Sequence, residues 1–497
     1  MRRYFPDSQA FGAIVASGKQ IVPVYRQLLA DRVTPVSAFE VLGRDSHAFL
    51  LESVIGGEKI GRYSFIAADP KLVYQAMAGA AAIQQTGKPL REFLTDDPLA
   101  DLEKLLPKKA YYRDPKLPAF TGGMVGFAGY DTIRYYEKEK LTNPPRDDRK
   151  LPDVLFGLYG ELVIFDHVDK TIKVVANAEI DGDAESAYQD ACRRIDTIVS
   201  RIQQPPSSSL GEIDPTGPLK LAYSANRTRE QFEQMVSTAK EYIKAGDIFQ
   251  VVPSQRLRVQ SNASPLDVYR ALRIINPSPF MFFLKSPACT LIGSSPEILC
   301  RVMGRTVESR PLAGTRPRGK TAEEDLKLEQ ELLADPKERA EHIMLVDLHR
   351  NDVGRVSKIG SVRVSDVMSI ERYSHVMHIT SHVTGELAEG KTALDALRVS
   401  LPVGTVSGAP KIRAMQIIDE LEPTRRGPYG GAVGYLDLAG NMDTCIALRT
   451  MVWRNGVYDV QVGAGVVADS VPASEYEETL RKAGAMLKAV ELAQQGF

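Results

Sequence analysis

Short runs of apolar and β-branched residues recur along the whole chain, and this pattern constrains the fold more than any other feature. The runs are interspersed with amphipathic segments, but without the strict strand–helix alternation that builds an all-parallel sheet. We therefore predict an α+β fold with large mixed sheets covered by helices. The predicted strands lie at residues 48–53, 63–67, 72–77, 81–84, 120–130, 155–166, 170–176, 247–256, 280–284, 290–294, 380–387, 430–438, 444–453 and 457–467.

Helical periodicity and end signals predict the helices. Apolar positions at helical spacing indicate a helix at 228–245, which Gly246 ends. Ser474 and Glu477 have the spacing of a capping box, which predicts that the last helix begins at Ser474. The predicted helices span residues 1–35, 99–106, 184–203, 228–245, 266–275 and 474–494, with an acidic helix and a second helix inside 310–355.

The bulk composition excludes several classes of protein. The chain has 497 residues, of which 43% are hydrophobic and 25% are charged, and its formal net charge is −1. A globular composition without basic excess predicts no nucleic-acid partner. No run of about 18 apolar residues is present, so we expect no membrane span, and the N-terminus lacks the apolar core of a signal peptide. Four cysteines without a CxxC pattern indicate reduced thiols in a cytoplasmic protein.

A linker divides the chain in this prediction. Residues 204–209 read QPPSSS, a composition typical of linkers between folded units. We place a boundary near residue 210, which predicts one region at 1–210 and a second at 211–497.

Two predicted helices each carry a pair of glutamates three residues apart, namely Glu338 with Glu341 and Glu475 with Glu478. On a helix this spacing places both carboxylates on one face, and each face adjoins an apolar stripe. Buried carboxylates need a partner, and Mg²⁺ is bound by a few carboxylates together with water. A solvated helix face is the usual interpretation of either pair alone. The two pairs together strengthen the case for a shared divalent cation, but from the residues alone the solvated faces remain an open alternative.

Three other features each allow two interpretations. Gly463-Ala464-Gly465 follows a predicted strand, where small residues either let backbone N–H groups approach an anion or satisfy a packing constraint. Arg449, inside the predicted strand 444–453, must pair with a substrate carboxylate or with a structural acid. His375 and His378 lie in a strand-like segment and would face opposite sides, and a lone histidine is more often structural than catalytic.

Residues 314–321, GTRPRGKT, match the pattern of a phosphate-binding P-loop. Pro317 removes one of the backbone N–H groups that would bind phosphate, and no buried apolar strand precedes the loop. Three acidic residues, Glu323, Glu324 and Asp325, would also crowd the helix start where phosphate should lie. We therefore predict that this segment does not bind a nucleotide.

Five long motifs occur in one order along the chain: IGSSPE (292–297), RPLAGTRPRG (310–319), KERAEHIMLVD (337–347), GTVSGAPK (404–411) and GAGVVADS (463–470). In this order the motifs resemble the chorismate-utilising enzymes, and among them the large subunits (component I) of anthranilate synthases. The resemblance is strong over residues 225–490. It extends to the N-terminal half through LLES (50–53) and KIGRYS (59–64). It implies an α+β fold in which two large mixed or antiparallel sheets form a sandwich with helices packed outside and the site between the sheets. It also implies that 1–210 is an N-terminal regulatory or structural region and that 211–497 is the chorismate-binding catalytic domain.

The resemblance also implies a role for individual residues. Glu341 and Glu478 would hold Mg²⁺ against the ring carboxylate of chorismate, with Glu338 and Glu475 supporting the waters of the metal. Glu297 and His378 match proton-handling positions. The substrate carboxylates would be held by Gly314, Thr315, Tyr429, Arg449, Gly463, Ala464 and Gly465.

Two positions distinguish members of the family. Aminodeoxychorismate synthases usually carry a lysine nucleophile where this chain has Ala313. Isochorismate and salicylate synthases place a water-activating lysine where this chain has Gln250, a catalytic position whose amide cannot act as a base. Both departures favour ammonia as the nucleophile and the anthranilate synthase reaction.

The resemblance implies partners as well. A separate glutamine amidotransferase subunit would supply ammonia, because no nucleophile motif surrounds the four cysteines, and the assembly would be a heterotetramer of two large and two small subunits. Tryptophan would act as a feedback inhibitor. Its pocket would include Ser53, Pro279, Phe280 and Met281, where Phe280 replaces a common tyrosine and puts one polar contact in doubt.

Overall fold

The computed structural model describes residues 3–44, 46–53, 61–206, 211–373 and 376–496. The helices in this part of the chain are α1 (Ser8–Ala16), α2 (Pro35–Leu42), α3 (Pro98–Leu105), α4 (Ala184–Ile202), α5 (Arg229–Lys244), α6 (Pro265–Ile275), α7 (Ala322–Ala334), α8 (Pro336–Gly354), α9 (Ala393–Ser400), α10 (Lys411–Leu421) and α11 (Pro472–Gln495). Two short 3₁₀ helices span Tyr130–Tyr135 and Gly404–Val406.

The strands in the first half are β1 (Ile21–Leu29), β2 (Ala48–Glu52), β3 (Tyr63–Ala68), β4 (Leu72–Met77), β5 (Ala80–Gln85), β6 (Arg91–Leu94), β7 (Gly123–Ala128), β8 (Val154–Tyr159), β9 (Glu161–Asp166) and β10 (Thr171–Glu179). Those in the second half are β11 (Ser224–Ala225), β12 (Gln250–Val251), β13 (Ser254–Gln260), β14 (Phe280–Lys285), β15 (Thr290–Ser295), β16 (Ile298–Met303), β17 (Thr306–Ser309), β18 (Leu312–Pro317), β19 (Arg363–Arg372), β20 (Val376–Glu386), β21 (Gly408–Ala409), β22 (Ala432–Asp437), β23 (Met442–Ile446), β24 (Thr450–Arg454) and β25 (Val457–Gly463).

Two large antiparallel sheets organise the molecule. The first has 11 strands in the order β1-β10-β9-β3-β2-β14-β15-β24-β25-β13-β11. The second has 12 strands in the order β18-β20-β17-β16-β23-β22-β7-β8-β4-β5-β6, with β19 paired to β20. A small ladder joins β12 to β21.

The two sheets pack face to face because alternate side chains of each strand point into a shared core. Phe49 and Phe282 of the first sheet lie in one buried cluster with Phe127 and Val433 of the second. The opposite faces are covered by helices. The helices α1, α2, α4, α6 and α11 pack on the first sheet, and α3, α8 and α9 pack on the second. The predicted α+β sandwich with helices outside is confirmed.

The predicted helix at 1–35 is wrong over most of its length. A helix is present at α1, which begins after the N-cap Asp7, but residues 21–29 form β1 and pair with β10 over nine positions. Pro23 is the sequence signal against a helix here, because proline is excluded from a helix interior. Proline is accepted in an edge strand, and β1 is the edge of its sheet.

Three predicted single strands are each two strands that belong to different sheets. The predicted strand 155–166 divides into β8 and β9, 247–256 into β12 and β13, and 444–453 into β23 and β24. Continuous apolar patterning concealed each break, because both sheets are buried and the chain stays in the core while it crosses from one to the other. Arg449 therefore lies between two strands and not inside one.

The capping box predicted at Ser474 is also absent. The helix α11 begins two residues earlier, at Pro472, and its N-cap residue is Val471. Proline is favoured in the first turn of a helix because its missing N–H would have had no partner there.

Strands from both sides of residue 210 belong to both sheets, and each half of the chain forms one contiguous block of neighbouring strands in each sheet. β2 pairs with β14 in the first sheet, and β7 pairs with β22 in the second. Residues 207–210 of the predicted linker lie outside the described residues. The division into regions 1–210 and 211–497 stays a prediction about chain organisation, and the sheets themselves are not divided there. In the part of the chain described, no helix combines the length and apolarity that a membrane crossing requires.

Candidate active site

A cavity of about 810 Å³ opens at one end of the sandwich, where the chain crosses between the sheets. Crossings after β15 and after β23 bring Glu297 and Arg449 to this end, and the helices α8 and α11 close its far side. Most of the predicted site residues line this cavity: Gln250, Glu297, Gly314, Thr315, Glu338, Glu341, His378, Tyr429, Arg449, Gly463, Gly465, Glu475 and Glu478.

Glu297 is a buried acid on the cavity wall, with only 2% of its surface exposed. The hydroxyl of Thr405 donates a hydrogen bond to Oε1 of Glu297 over 3.0 Å. Burial raises the pKa of Glu297 to about 8, although the bond from Thr405 and the nearby charge of Arg449 act in the opposite direction. The carboxyl is therefore mostly protonated at neutral pH and can act as a general acid.

His378, on β20, lies against the neighbouring strand β18. Its Nδ1 is 2.9 Å from the carbonyl oxygen of Gly314 and 3.1 Å from the hydroxyl of Thr315. Because a carbonyl only accepts, Nδ1 carries the proton and Nε2 is left as an acceptor. Burial lowers the pKa of His378, which favours this neutral form. His375 lies outside the described residues.

Arg449 occupies the crossing between β23 and β24 with a positive φ of 47°. Burial lowers its pKa, and the groups that act in the other direction are Tyr373 and Glu297. No acidic side chain in the described part of the chain hydrogen-bonds to Arg449. Of the two partners predicted for Arg449, a substrate carboxylate fits this arrangement better than a structural acid.

The two glutamate pairs face each other across the cavity. Burial raises the pKa of Glu341, and the negative charges of Glu338 and Glu478 raise it further. Burial also raises the pKa of Glu475, again with a contribution from Glu478. The sequence placed each pair on one helix face, and tertiary structure brings the two faces close enough for their charges to repel.

The cations around this cluster compensate only part of its charge. Arg316 pairs with Glu338 over 3.1 Å, and Lys482 pairs with Glu478 over 2.7 Å. Glu341 has the amide of Gln250 at 3.5 Å. Among the described residues, no group of three or more acidic, histidine or cysteine side chains is already arranged at metal-binding distances. Excess negative charge on a cavity wall nevertheless fits a hard divalent cation with oxygen ligands.

The Gly463–Gly465 segment shapes the cavity floor. A Cβ atom at Gly463 would lie 2.9 Å from the hydroxyl oxygen of Tyr429, and one at Gly465 would lie 2.9 Å from Nε2 of Gln250. The backbone carbonyl of Pro253 would lie equally close to a Cβ at Gly463, so the packing interpretation fits Gly463, whereas the Gln250 side chain can move away from Gly465. Ala464 is fully buried and its N–H donates to the carbonyl of Pro253. Its role toward the substrate stays a prediction.

The P-loop match at 314–321 does not form a phosphate-binding loop. Residues Gly314–Pro317 belong to β18, which pairs with β20, and Thr321 is the N-cap of α7. Arg316 and Pro317 pair with β20, and the N–H groups of Gly319 and Lys320 donate to the carboxylates of Asp325 and Glu324. The N–H groups of the segment therefore do not converge on one point, as phosphate binding requires.

The predicted effector residues group together at the ends of β2 and β14. Met281 pairs with Glu52 in the register of these strands, so Ser53 and Phe280 come next. The hydroxyl of Ser53 is buried and has no hydrogen-bond partner among the described residues, which do not include the adjacent residues 54–60. Pro279 is buried beside them. The neighbouring residues 276–278 line the active-site cavity, so the chain leads directly from the cavity wall to the predicted effector residues.

Sequence reasoning missed several residues of the cavity, and three of these contact predicted site residues. Thr405, Tyr373 and Lys482 all line it, and each contacts a predicted site residue. Thr405 lies inside the motif 404–411, so its signal was present. Tyr373 and Lys482 carry no local pattern, because their contacts depend on how β20 and α11 pack.

Comparison with known proteins agrees with this geometry. The family description "chorismate binding enzyme" matches residues 46–488 of the chain. The chain is 49% identical over 483 residues to anthranilate synthase component 1 of Acetivibrio thermocellus, which covers 96% of this chain and 97% of that one. It is also 49% identical over 490 residues to anthranilate synthase component 1 of Pseudomonas aeruginosa, which covers 98% and 99%.

The chain belongs to the chorismate-binding enzymes, in the anthranilate synthase component 1 family. A crystal structure of anthranilate synthase component I from Streptococcus pneumoniae is 38% identical, with a TM-score of 0.76, and the match covers 93% of this chain and 99% of that one. The menaquinone-specific isochorismate synthase of Escherichia coli has a TM-score of 0.68 at 17% identity, covering 97% and 99%, which shows a shared fold alone. The resemblance drawn from motif order is confirmed, and the aminodeoxychorismate, isochorismate and nucleotide-binding alternatives are not favoured.

Proposed function

We propose that this member of the anthranilate synthase family converts chorismate and ammonia to anthranilate, pyruvate and water in tryptophan biosynthesis. The observation that carries the proposal is the cavity itself. It is lined by Glu297, a buried acid with a raised pKa, by Arg449, which has no acidic hydrogen-bond partner among the described residues, and by the cluster of four glutamates. Such a site matches a dianionic substrate that must lose a hydroxyl group as water.

Glu297 supplies the proton for the departing C4 hydroxyl, because hydroxide is a poor leaving group at neutral pH. Ammonia forms the new bond at ring C2 as that hydroxyl leaves. The neutral His378, with Nε2 free, then assists the loss of pyruvate and of the C2 proton that makes the ring aromatic. Support for these roles comes from the pKa of Glu297 near 8 and from the bond between His378 and Gly314.

Two carboxylates of the substrate need two partners. We assign one to Arg449 and Tyr429, with the Gly314–Thr315 and Gly463–Gly465 segments forming the walls beside them. The ring carboxylate is assigned to Mg²⁺, which Glu341 and Glu478 would hold, with Glu338 and Glu475 on its waters. When bound, the cation neutralises that carboxylate and fixes the ring orientation. The acidic cluster described above supports this assignment.

Ammonia is favoured over water as the nucleophile by Gln250 and Ala313. Gln250 has an amide in place of a base, and its Nε2 points toward Glu341 at 3.5 Å. Ala313 is a small residue, 8% exposed, next to the cavity wall at Gly314. Neither side chain can activate water or attack the ring itself.

We further propose a separate glutamine amidotransferase subunit as the ammonia source, in a heterotetramer of two large and two small subunits in the cytoplasm. The name component 1 of the relatives supports a second component. Tryptophan is proposed as an inhibitor that binds beside Ser53, Pro279, Phe280 and Met281. The buried, unpartnered hydroxyl of Ser53 supports a polar ligand at that place.

The decisive experiment incubates the purified chain with chorismate, Mg²⁺ and ammonium and monitors anthranilate fluorescence. We expect turnover that requires all three components, and mass spectrometry of the product identifies anthranilate. A product with the mass of salicylate or aminodeoxychorismate would contradict the assignment, and so would an isomer of chorismate that chromatography separates from the substrate, as isochorismate would be. Adding tryptophan should inhibit the wild type, whereas Ser53→Phe should retain turnover and lose that inhibition.

A further inference from the structure

A fully buried ion pair lies directly behind the active-site cavity. Glu422 follows the last residue of α10, and Arg426 is four residues further on; their side chains are 3% and 2% exposed. Nε of Arg426 donates to both carboxylate oxygens of Glu422, over 3.1 Å and 3.0 Å. Removing two charges from water costs several kcal/mol for each ion, so a buried pair needs further hydrogen bonds to persist.

Those further bonds go to two backbone segments of the cavity. Nη1 of Arg426 donates to the carbonyl of Val406, and Nη2 donates to the carbonyl of Val252, both over 2.6 Å. Val252 lines the cavity, and Val406 directly follows Thr405, whose hydroxyl bonds to Glu297. The guanidinium thus connects two segments that are distant in the chain.

Glu422 extends the same connection. Its Oε1 accepts hydrogen bonds from the N–H and the hydroxyl of Ser254, each over 2.8 Å. Ser254 begins β13, two residues after Val252, so the carboxylate and the guanidinium hold the same turn from both sides. The pair therefore stabilises the position of that turn, and not only the end of α10.

The flat face of the guanidinium contacts two aromatic rings. Its Cζ lies 4.6 Å from the ring centroid of Tyr130 and 5.5 Å from that of Tyr429. Tyr429 lines the cavity, and its hydroxyl approaches Gly463 so closely that an added Cβ there would lie 2.9 Å away. A delocalised, planar cation suits both rings, whereas the ammonium group of lysine is a point charge without a plane.

We infer that Arg426 is a positioning residue that fixes Tyr429, the Val252 turn and the Thr405–Val406 segment relative to one another. It touches no substrate and acts through these three parts of the wall. The inference rests on the proposed function, because Tyr429 is there assigned to a substrate carboxylate and Thr405 bonds to the proposed general acid.

The alternative is that the pair only stabilises the fold, and the chain contains a matched control. Arg134 is 12% exposed and bonds to Asp419, 5% exposed, over 2.8 Å and 2.6 Å. Asp419 lies on α10, the same helix that precedes Glu422. The other hydrogen bond of Arg134 goes to Asp131, and none of these three residues lines the cavity.

The test compares Arg426→Lys with Arg134→Lys in the full-length chain. Both substitutions keep the charge and should lower the melting temperature similarly. Displacing a positioned group by about 1 Å can cost about a hundredfold in rate. We therefore expect Arg426→Lys to lower kcat/KM for chorismate by about tenfold or more, and Arg134→Lys to leave it within about twofold. Chorismate affinity, measured by calorimetry, should weaken in Arg426→Lys alone.

The pH profile gives a readout that a purely structural role would not move. The groups around Glu297 are Thr405, the Leu312 N–H, Arg449 and Tyr373. Because the Thr405 bond lowers the pKa of Glu297, its loss should raise that pKa, and the alkaline limb of kcat/KM should move to higher pH in Arg426→Lys. An unchanged profile with full kcat/KM, or parallel losses in both variants, would overturn the inference.

A second variant keeps the inference testable if Arg426→Lys does not fold. The double substitution Arg426→Met with Glu422→Gln removes both charges at similar volume, so no charge is left buried without a partner. Full activity and affinity in this folded variant would contradict the inference, and a folded variant with both reduced would support it. A wild-type chain that binds chorismate but makes no anthranilate would remove the proposed reaction, while the affinity comparison would still test Arg426.

Discussion

Glu297 shows how burial can give a single residue its chemistry. The sequence identifies it only as a glutamate in a motif, while its 2% exposure and the Thr405 hydroxyl decide its pKa. Tertiary structure also decides the surroundings of Arg449. It has a positive φ and no acidic hydrogen-bond partner among the described residues, and both features arise because it lies where the chain crosses between the sheets. At this scale, residue type was predictable and protonation state was not.

The pKa of Glu297 predicts the pH dependence of the wild type. The protonated form is the active acid, so kcat/KM should fall as pH rises through about 8. The same shift affects stability. A folded pKa above the unfolded value means that the folded state holds more protons, so stability present at low pH is lost as pH rises toward 8. Kinetics and thermal melting across this range measure both effects.

Glu297→Gln should separate activity from stability. The amide keeps the shape but cannot donate an acidic proton, so kcat should fall by about a hundredfold or more. Because the variant no longer carries a buried group that ionises, its melting temperature at pH 8 should equal or exceed that of the wild type. A variant with kcat within about threefold of the wild type would remove Glu297 from the mechanism.

Glu341→Gln tests the proposed metal site. The Mg²⁺ concentration for half-maximal activity should rise by about tenfold or more, because one ligand charge is lost. Without metal the variant should melt at a higher temperature than the wild type, since the repulsion from Glu338 and Glu478 is relieved. Glu323→Gln, at the exposed start of α7, is the matched control and should change neither quantity. Full wild-type activity after chelation with EDTA would contradict a metal site.

At the scale of elements, the helices that carry the glutamate pairs followed from local patterns, whereas several strand ends did not. The helix α8 has both of its predicted carboxylates on the cavity side. The strand predicted at 444–453 breaks into β23 and β24, because an apolar run continues through a crossing as readily as through a strand. Periodicity identifies which residues are buried but not which sheet buries them.

Gly463→Ala tests the close packing at the end of β25. The new methyl group would lie 2.9 Å from both the Tyr429 hydroxyl and the Pro253 carbonyl, so the floor of the cavity must shift. We expect destabilisation of about 1 to 3 kcal/mol and an increase of about tenfold in KM for chorismate. Chemical denaturation and steady-state kinetics measure these changes.

Gly484→Ala in α11 is the control for that substitution. No atom lies within 4 Å of the position its Cβ would occupy, and replacing a helical glycine by alanine should stabilise the protein by about 0.5 to 1 kcal/mol. If Gly463→Ala behaves like this control, the close-packing explanation is wrong.

At the scale of the whole molecule, the two halves of the chain are joined side by side within both sheets, and the linear sequence conceals this. β2 needs β14 and β7 needs β22 as sheet neighbours, although a linker pattern separates them in sequence. Antiparallel pairing over such separations follows from burial of both sheet faces, and no local signal specifies it.

Separate expression of residues 1–206 and 211–497 tests whether each half needs the strand pairings that join it to the other half. Each fragment should expose unpaired strand edges and fail to melt cooperatively, whereas co-expression should recover a complex. Circular dichroism and thermal melting provide the measurement, with the intact chain as the reference. Cooperative folding of either fragment alone would support the division predicted at residue 210.

The sequence by itself determined the α+β class, the buried faces, the paired glutamates and the motif order that identifies the family, because these depend on neighbours within a few residues. Only the tertiary structure decided where the chain crosses between sheets, and so which residues meet. The approach of the Glu341 and Glu478 helices, the exposure of Arg449 to the cavity and the contacts of Arg426 with two cavity segments all depend on crossings. Crossings leave no periodic signal, because a chain that passes from one buried sheet to another remains apolar throughout.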